Sequence, residues 1–352
     1  MYDRSELLFS QAIKSEATRQ SYHYGLNGFL KFHNIKSQDV LVLDHSEIQI
    51  MVEDYVFSMK NRGVGKSTIR SYLAGLKLFL DMSDVVVNWT KIRKFMPEAS
   101  RKSGQKAYTN EDVRELLHTT VNKKYRALVH VLASSGMRIG EVRHLRIRDL
   151  EDMPHGCKSV LVSISKSKDE RFTFISSEAV KALDEYLDER KLNGDKINSE
   201  SFLFATSYKG FQQCSETGMK MVMAKQVQKL NRKAIDGKRY DKMMNHAFRK
   251  RFNTILKSNQ KINIVLAERM MGHSVTIPLD NSYLDVSKEN LFAEYLKALP
   301  ELYIDEKYKL EAELIEKQQQ IEELESKDNK IRNLELQMQE MKAHFENIIS
   351  KS

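Results

Sequence analysis

Ser134-Ser135-Gly136-Met137-Arg138-Ile139-Gly140-Glu141-Val142-Arg143-His144-Leu145 is the stretch on which the reading of this chain turns. Arg138 opens an ordered series of polar residues in the second half of the sequence: Lys166, then His246 and Arg249, then His273, and finally Tyr283. A tyrosine hydroxyl, with a pKa of about 10, is a poor nucleophile, so a site that turns it on phosphate must stabilise charge and manage protons. The series supplies both. Guanidiniums are permanently charged and fork-shaped, which suits the negative charge that builds on non-bridging phosphate oxygens, and Arg138 and Arg249 are assigned to it. His246 precedes Arg249 by three residues, so on a helix both side chains leave one face and reach one phosphate. Lys166, in Ser165-Lys166-Ser167-Lys168-Asp169, is the candidate general acid for a leaving 5′-oxygen, with Lys168 a weaker substitute. The product of such an attack is a 3′-phosphotyrosine, which keeps the bond energy, so resealing requires no metal or nucleotide cofactor.

Taken as whole motifs, these segments resemble the tyrosine recombinase (integrase) family over about residues 105 to 300. The quoted stretch is similar to the family's first box, whose arginine binds the scissile phosphate; the resemblance implies that Glu141, one helical turn on, braces Arg138. Two alternating runs, Ser159 to Ile164 and Arg171 to Ile175, read as a β-hairpin with Lys166 near its turn, where the family carries its catalytic lysine. His246-Ala247-Phe248-Arg249 is the third part, and Met270-Met271-Gly272-His273-Ser274 with Tyr283 ten residues later resembles the closing histidine and nucleophile. His-x-x-Arg alone is a weak signal; the ordered set is specific. Serines surround Lys166 where glycines are frequent in the family, and the loop Val275 to Ser282 is unusual in sequence. The segment Glu294 to Leu302 and the long tail look more like archaeal and archaeal-virus integrases.

The implied fold is mainly α with a small β-hairpin or sheet: a helical core-binding domain over 1–96, a linker over 97–106, an α+β catalytic domain over 107–304 and a coiled-coil helix over 305–352. Composition agrees with two such domains. The chain has 352 residues, 41% of them apolar, and no apolar run long enough to predict a membrane span. Cys157 and Cys214 lack metal-ligand spacing and make no disulfide framework, and Met1-Tyr2-Asp3-Arg4 has no signal-peptide core, so a cytoplasmic, nucleoid-associated protein is expected. The net charge is +9; the tail from Asp305 holds 8 Lys+Arg against 12 Asp+Glu, leaving +13 upstream. Such an excess suits double-stranded DNA.

Within the first hundred residues an echo appears. Thr18-Arg19-Gln20-Ser21-Tyr22, followed by Gly25, Leu26, Phe29 and Leu30, recurs fifty positions later as Thr68-Ile69-Arg70-Ser71-Tyr72, followed by Gly75, Leu76, Phe79 and Leu80. It predicts two similar amphipathic helices, either as a repeat or because two helices of one bundle share core demands. The turn Lys60 to Ser67 lacks the P-loop spacing, since one residue separates Gly63 from Gly65, so it is read as a basic turn at a DNA-facing helix end. Lys66, Arg70 and Lys77 are candidate DNA contacts there, as are Arg101, Lys102 and Lys106 in the polar linker. Thr109-Asn110-Glu111-Asp112 carries an N-cap signature and starts the second domain.

After Leu302 the sequence becomes a charged helix without Gly or Pro, with apolar residues at Leu310, Leu314, Ile321, Leu324, Ile331, Leu334, Met338, Met341, Phe345 and Ile348 and a break near Asp328. This is a coiled-coil seam, and self-association is favoured over folding back on the body. The expected activity is site-specific strand exchange that integrates or excises a mobile element, as a tetramer on two DNA sites with accessory DNA-bending or directionality proteins. The alternatives are DNA relaxation of the type IB topoisomerase kind and a non-catalytic architectural DNA binder.

Overall fold

The computed structural model describes residues 4–98, 106–163, 170–208, 210–229, 244–273 and 287–349. The chain divides into two compact units, Met1–Ser103 and Gly104–Ser352. Among the described residues the first unit is wholly helical: α1 (Arg4–Gln11), α2 (Glu16–His33), α3 (Ser37–Val40), α4 (His45–Asn61), α5 (Lys66–Met82) and α6 (Trp89–Phe95). Capping residues set the starts. The Ser15 hydroxyl accepts the Thr18 amide at 3.2 Å before α2, and Asp44 with Glu47 closes a capping box on α4. Phe29, Ile48, Val52, Val56, Met59, Ile69, Leu76 and Phe79 form a core with no solvent exposure.

The sequence echo has a physical origin in this unit. A Cβ built on Gly25 would stand 2.3 Å from the Tyr72 carbonyl oxygen, and one built on Gly75 would stand 2.1 Å from that of Tyr22. Position rises along α2 as it falls along α5, so the helices cross antiparallel, each offering a glycine where the other offers a carbonyl. The matching Tyr and Gly are two halves of one reciprocal contact, which explains their common spacing whatever their ancestry.

Among the described residues the second unit holds the helices and strands α7 (Asn110–Thr119), α8 (Lys123–Ser135), α9 (Ile139–Val142), β1 (Leu150–Asp152), β2 (Lys158–Ser163), β3 (Glu170–Ile175), α10 (Ser177–Leu192), β4 (Ala205–Thr206), β5 (Gln212–Gln213), α11 (Glu216–Lys229), α12 (Met244–Ser258), α13 (Ile264–Met271), α14 (Lys288–Leu302) and α15 (Glu306–Ile349). Thr109 caps α7 in a box with Asp112, as its sequence predicts. The hairpin is present, with Ser163 opposite Glu170 and Val160 opposite Thr173. It gains a third antiparallel strand, β1, whose Leu150 pairs with Val160. Three residues are too few to show alternation, and β1 and the two-residue ladder β4–β5 were not foreseen for that reason.

Helix α8 is buried from Ala127 through Ser135 and packs against α10 and α12. Tyr295 of α14 donates its hydroxyl proton to the Ser134 carbonyl at 3.1 Å, so the end of α8 is held from behind. Buried Arg251 donates to the Ala133 carbonyl at 2.9 Å and the Leu302 carbonyl at 3.0 Å, tying α8 to the end of α14. Glu178 of α10 accepts the amides of Ile304 and Asp305 at 2.9 and 3.1 Å, and Arg114 reaches the Ile304 carbonyl and Glu306, both at 2.8 Å. These bonds fix the point from which α15 leaves. That helix runs 44 residues without interruption at Asp328. None of the described helices is long and apolar enough to cross a membrane.

Candidate active site

The first box lies where α8 ends and α9 begins. Gly136 terminates α8 in the left-handed conformation (φ 62°), and a Cβ there would stand 2.4 Å from the Phe252 ring, so both backbone and packing require glycine. The turn presents Arg138 as the residue capping α9. Its backbone amide donates to Glu141 Oε2 at 2.7 Å and its Nη1 donates to Oε1 at 2.9 Å. Arg138 keeps 48% of its side chain exposed while Glu141 keeps 9%, so the brace is buried and the braced guanidinium faces outward.

Glu141 has a second partner that the sequence reading did not single out. Arg171, on β3, donates from Nη2 to Glu141 Oε2 at 2.9 Å and from Nε to the Met270 carbonyl at 3.1 Å. Burial pushes the Glu141 carboxyl up, but Arg171 and the Arg138 bonds outweigh it and hold it below the usual carboxylate range. The sequence carries no signal for it: Arg171 alternates with Phe172 and Phe174, which puts it on the polar face of a period-two strand, yet it shares a buried face of β3 with Thr173. Gly272 completes the arrangement. It ends α13 at φ 63°, and a Cβ on it would lie 2.6 Å from Arg171 Nε.

Helix α12 brings His246 and Arg249 to the same place, one turn apart. Arg249 is 3% exposed; its Nη1 donates to the Gly136 carbonyl at 2.8 Å and its Nη2 to the Met271 carbonyl. Each terminal nitrogen carries two protons, so the fork can hold these carbonyls and still offer N–H groups. Burial, followed by nearby Arg138, holds the Arg249 pKa down to about 10, which leaves it cationic at neutral pH. His246 is exposed; partial burial, then the charges of Lys250, Arg249 and Arg138, keep its imidazole below the ordinary histidine range and neutral at physiological pH. A neutral ring nitrogen can accept a proton. His273 follows Gly272, and its Nδ1 lies 2.5 Å from Glu268 Oε2, a carboxylate also paired with Lys257. Glu268 orients that ring from one helix turn back and is another supporting residue the sequence reading missed.

Arg138, His246 and Arg249 line one cleft of about 280 Å³ with Met137, Gly140 and Lys220, and His273 is close enough to act on His246 electrostatically. Four of the six expected catalytic residues thus converge. Lys166 and Tyr283 lie outside the described residues; the flanking strands bring Ser163 and Glu170 together on either side of the segment that carries Lys166.

Of the candidate DNA contacts, Lys66 begins α5, while Arg70 and Lys77 stand exposed two turns apart on it. Both line a groove with Leu73, Trp89 and Arg93, where Lys77 Nζ sits 5.7 Å from the Trp89 ring centre. Lys106 is exposed at the start of the second unit, and Arg101 and Lys102 lie outside the described residues.

Residues 106–290 match the model of the phage integrase family. The tyrosine recombinase XerC of Leptospira interrogans is 24% identical over 302 residues, covering 81% of this chain and 88% of its own length. The Tn1549 transposon integrase in complex with transposon right end DNA superposes with a TM-score of 0.54 at 16% identity, covering 82% of this chain and 96% of that one. A lambda integrase dimer bound to a COC′ core site gives 0.53 at 14% identity, covering 80% and 75%. With a mainly helical second unit built around a small antiparallel sheet, and with more than half of the sequence matched to one family, the chain belongs to the phage integrase, or tyrosine recombinase, family.

Proposed function

We propose that this protein is a site-specific DNA recombinase that cuts and rejoins strands through a covalent 3′-phosphotyrosine, integrating or excising a mobile element. The observation that carries this reading is the convergence of Arg138, His246 and Arg249 on one cleft, with His273 near enough to His246 to act on it electrostatically and Glu141 locked between two arginines. Tyr283 attacks phosphorus, a Tyr–O–P bond forms and the P–O5′ bond breaks. Arg138 and Arg249 take up the charge on the non-bridging oxygens. His246, held neutral, accepts the tyrosine proton with His273 beside it, and Lys166 protonates the departing 5′-oxygen. Resealing reverses these steps at a new 5′-hydroxyl. The excess of +13 charges before the tail supports a duplex partner, with Lys66, Arg70, Lys77, Arg101, Lys102 and Lys106 as phosphate contacts. Exchange takes place in a tetramer on two sites at the nucleoid, with accessory DNA-bending or directionality proteins. Within the family, the segment 294–302 and the long tail support a place near the archaeal-type integrases.

The test is a denaturing-gel search for protein–DNA adducts on nicked candidate attachment fragments, comparing the parent with Tyr283→Phe. An adduct at a discrete sequence that is lost in Tyr283→Phe is expected. Saturated binding without any adduct would overturn the reading in favour of an architectural role, and catalytic relaxation of any supercoiled plasmid would favour a topoisomerase.

A further inference from the structure

Helix α15 carries an apolar stripe that stands exposed among the described residues: Leu310, Leu314, Ile321, Leu324, Ile331, Leu334, Met338 and Met341 are each more than half exposed. Counting Lys317 and Asp328 as members of the seam makes the order from 310 to 331 regular, at 310, 314, 317, 321, 324, 328 and 331, in alternating steps of four and three. The two charges are therefore seam residues, and the helix is continuous through both. From Leu314 to Ile331 the pattern is symmetric about a point between 322 and 323, with Leu310 outside it because its mirror position is Glu335. Reflection there exchanges Leu314 with Ile331, Ile321 with Leu324, and Lys317 with Asp328.

We infer that α15 pairs with α15 of a second copy of this chain as an antiparallel coil centred between residues 322 and 323. Antiparallel coils pack an a position against a d position, and all three exchanged pairs are of that kind. Each copy's Lys317 then meets the other's Asp328, giving two ion pairs in the seam. A parallel, in-register coil would instead place Lys317 on Lys317 and Asp328 on Asp328. Like charges in a seam cost several kcal/mol, whereas an opposed pair fixes register. Outside the seam, Arg332 of one helix lies two residues from the level of Glu311 on the other.

The same register carries Met338 and Met341 to the level of residues 307 and 304 on the second copy. There α14 and the base of α15 form an open groove of about 450 Å³ lined by Leu296, Leu299, Pro300, Tyr303, Tyr308 and Ile315. The apolar overhang thus has an apolar place to lie. At 1.5 Å per residue, the two Glu306 positions stand about 50 Å apart, so the coil spaces two catalytic units while joining them.

The full-length protein tests this by cysteine pairing, since native Cys157 and Cys214 are both buried. Mixing Leu314→Cys with Ile331→Cys should give a cross-linked heterodimer under mild oxidation, with little self-cross-linking by either variant. Lys317→Glu should weaken association in sedimentation by at least about tenfold, and Lys317→Glu with Asp328→Lys should restore it. Self-cross-linking of Leu314→Cys, or association unchanged in Lys317→Glu, would show a parallel coil and overturn the inference. A parent that stays monomeric at all concentrations would overturn it as well.

Discussion

Arg171→Met removes one guanidinium from the buried pair behind the active site while keeping much of the side-chain volume. The pair is short, 2.9 Å, and the two side chains are 8% and 9% exposed. Removing one partner of a buried pair typically costs about 3–5 kcal/mol, because a charge is left without compensation. Arg138 remains within 2.9 Å of the same carboxylate but is half exposed, so it compensates only in part. The bond to the Met270 carbonyl is lost too, worth about 1 kcal/mol. A total near the lower end, about 3 kcal/mol, is expected. Trp89 is the single tryptophan and belongs to the first unit, so its fluorescence cannot report the change. Hydrogen exchange of the α8 and α12 amides under native conditions can. A double-mutant cycle with Glu141→Gln isolates the pair and should return a coupling of about 2 kcal/mol. Adduct formation should fall as well, since a freed Glu141 no longer aims Arg138. If Arg171→Met lies within about 1 kcal/mol of the parent and the coupling is near zero, Arg138 alone holds Glu141 and the account of the brace is wrong.

Gly75→Ala and Gly25→Ala should each destabilise the first unit by about 1–3 kcal/mol despite alanine's better helix propensity, because the added Cβ meets a carbonyl at 2.1 or 2.3 Å. Urea titration followed by Trp89 fluorescence should show the double variant costing less than the sum, since one substitution already parts the helices. Gly272→Ala combines left-handed strain of about 1–2 kcal/mol with a contact on Arg171, and should abolish adduct formation in gel assays while DNA binding persists. His130 is buried beside Glu178, and burial, then Arg126, hold its pKa down to about 4. An unfolded histidine protonates near 6.5, so this residue's contribution is complete above about pH 6.5 and falls away toward pH 4, by about 3 kcal/mol in all. Glu178, whose carboxyl burial pushes up, works in the opposite sense as pH falls. Comparing the parent with His130→Asn in thermal melts from pH 7 to 4 isolates the histidine: the variant should lose less stability on acidification.

The proposed catalytic set could be drawn from the sequence because each member must be a particular residue type at a particular place in the order, and the structure brings Arg138, His246 and Arg249 of it to one cleft. Glu141 was legible through the resemblance of the first box, which implies an acid bracing the arginine one helical turn on. Arg171 escaped because its partner Glu141 lies 30 residues away and no local pattern encodes such a pairing, whereas Glu268 lies only five residues from His273 but a single acid at that spacing is ordinary on a charged helix face. The hairpin showed itself in six-residue alternation, whereas β1, β4 and β5 are too short to show any. The glycine echo was visible, but its cause needed the α2–α5 crossing, since only there does each glycine meet the other helix's carbonyl.

The two carbonyls held by Arg249 change what its removal would mean in an experiment. Gly136 precedes the Arg138 turn and Met271 precedes the His273 turn, so one guanidinium staples the mouths of two motifs 135 residues apart in sequence. An inactive Arg249 variant would therefore confound two losses, the proposed phosphate ligand and a sprung frame. If Tyr283 is the nucleophile proposed above, the cleaner inert control is the variant that removes a single hydroxyl oxygen and leaves the staple shut, Tyr283→Phe.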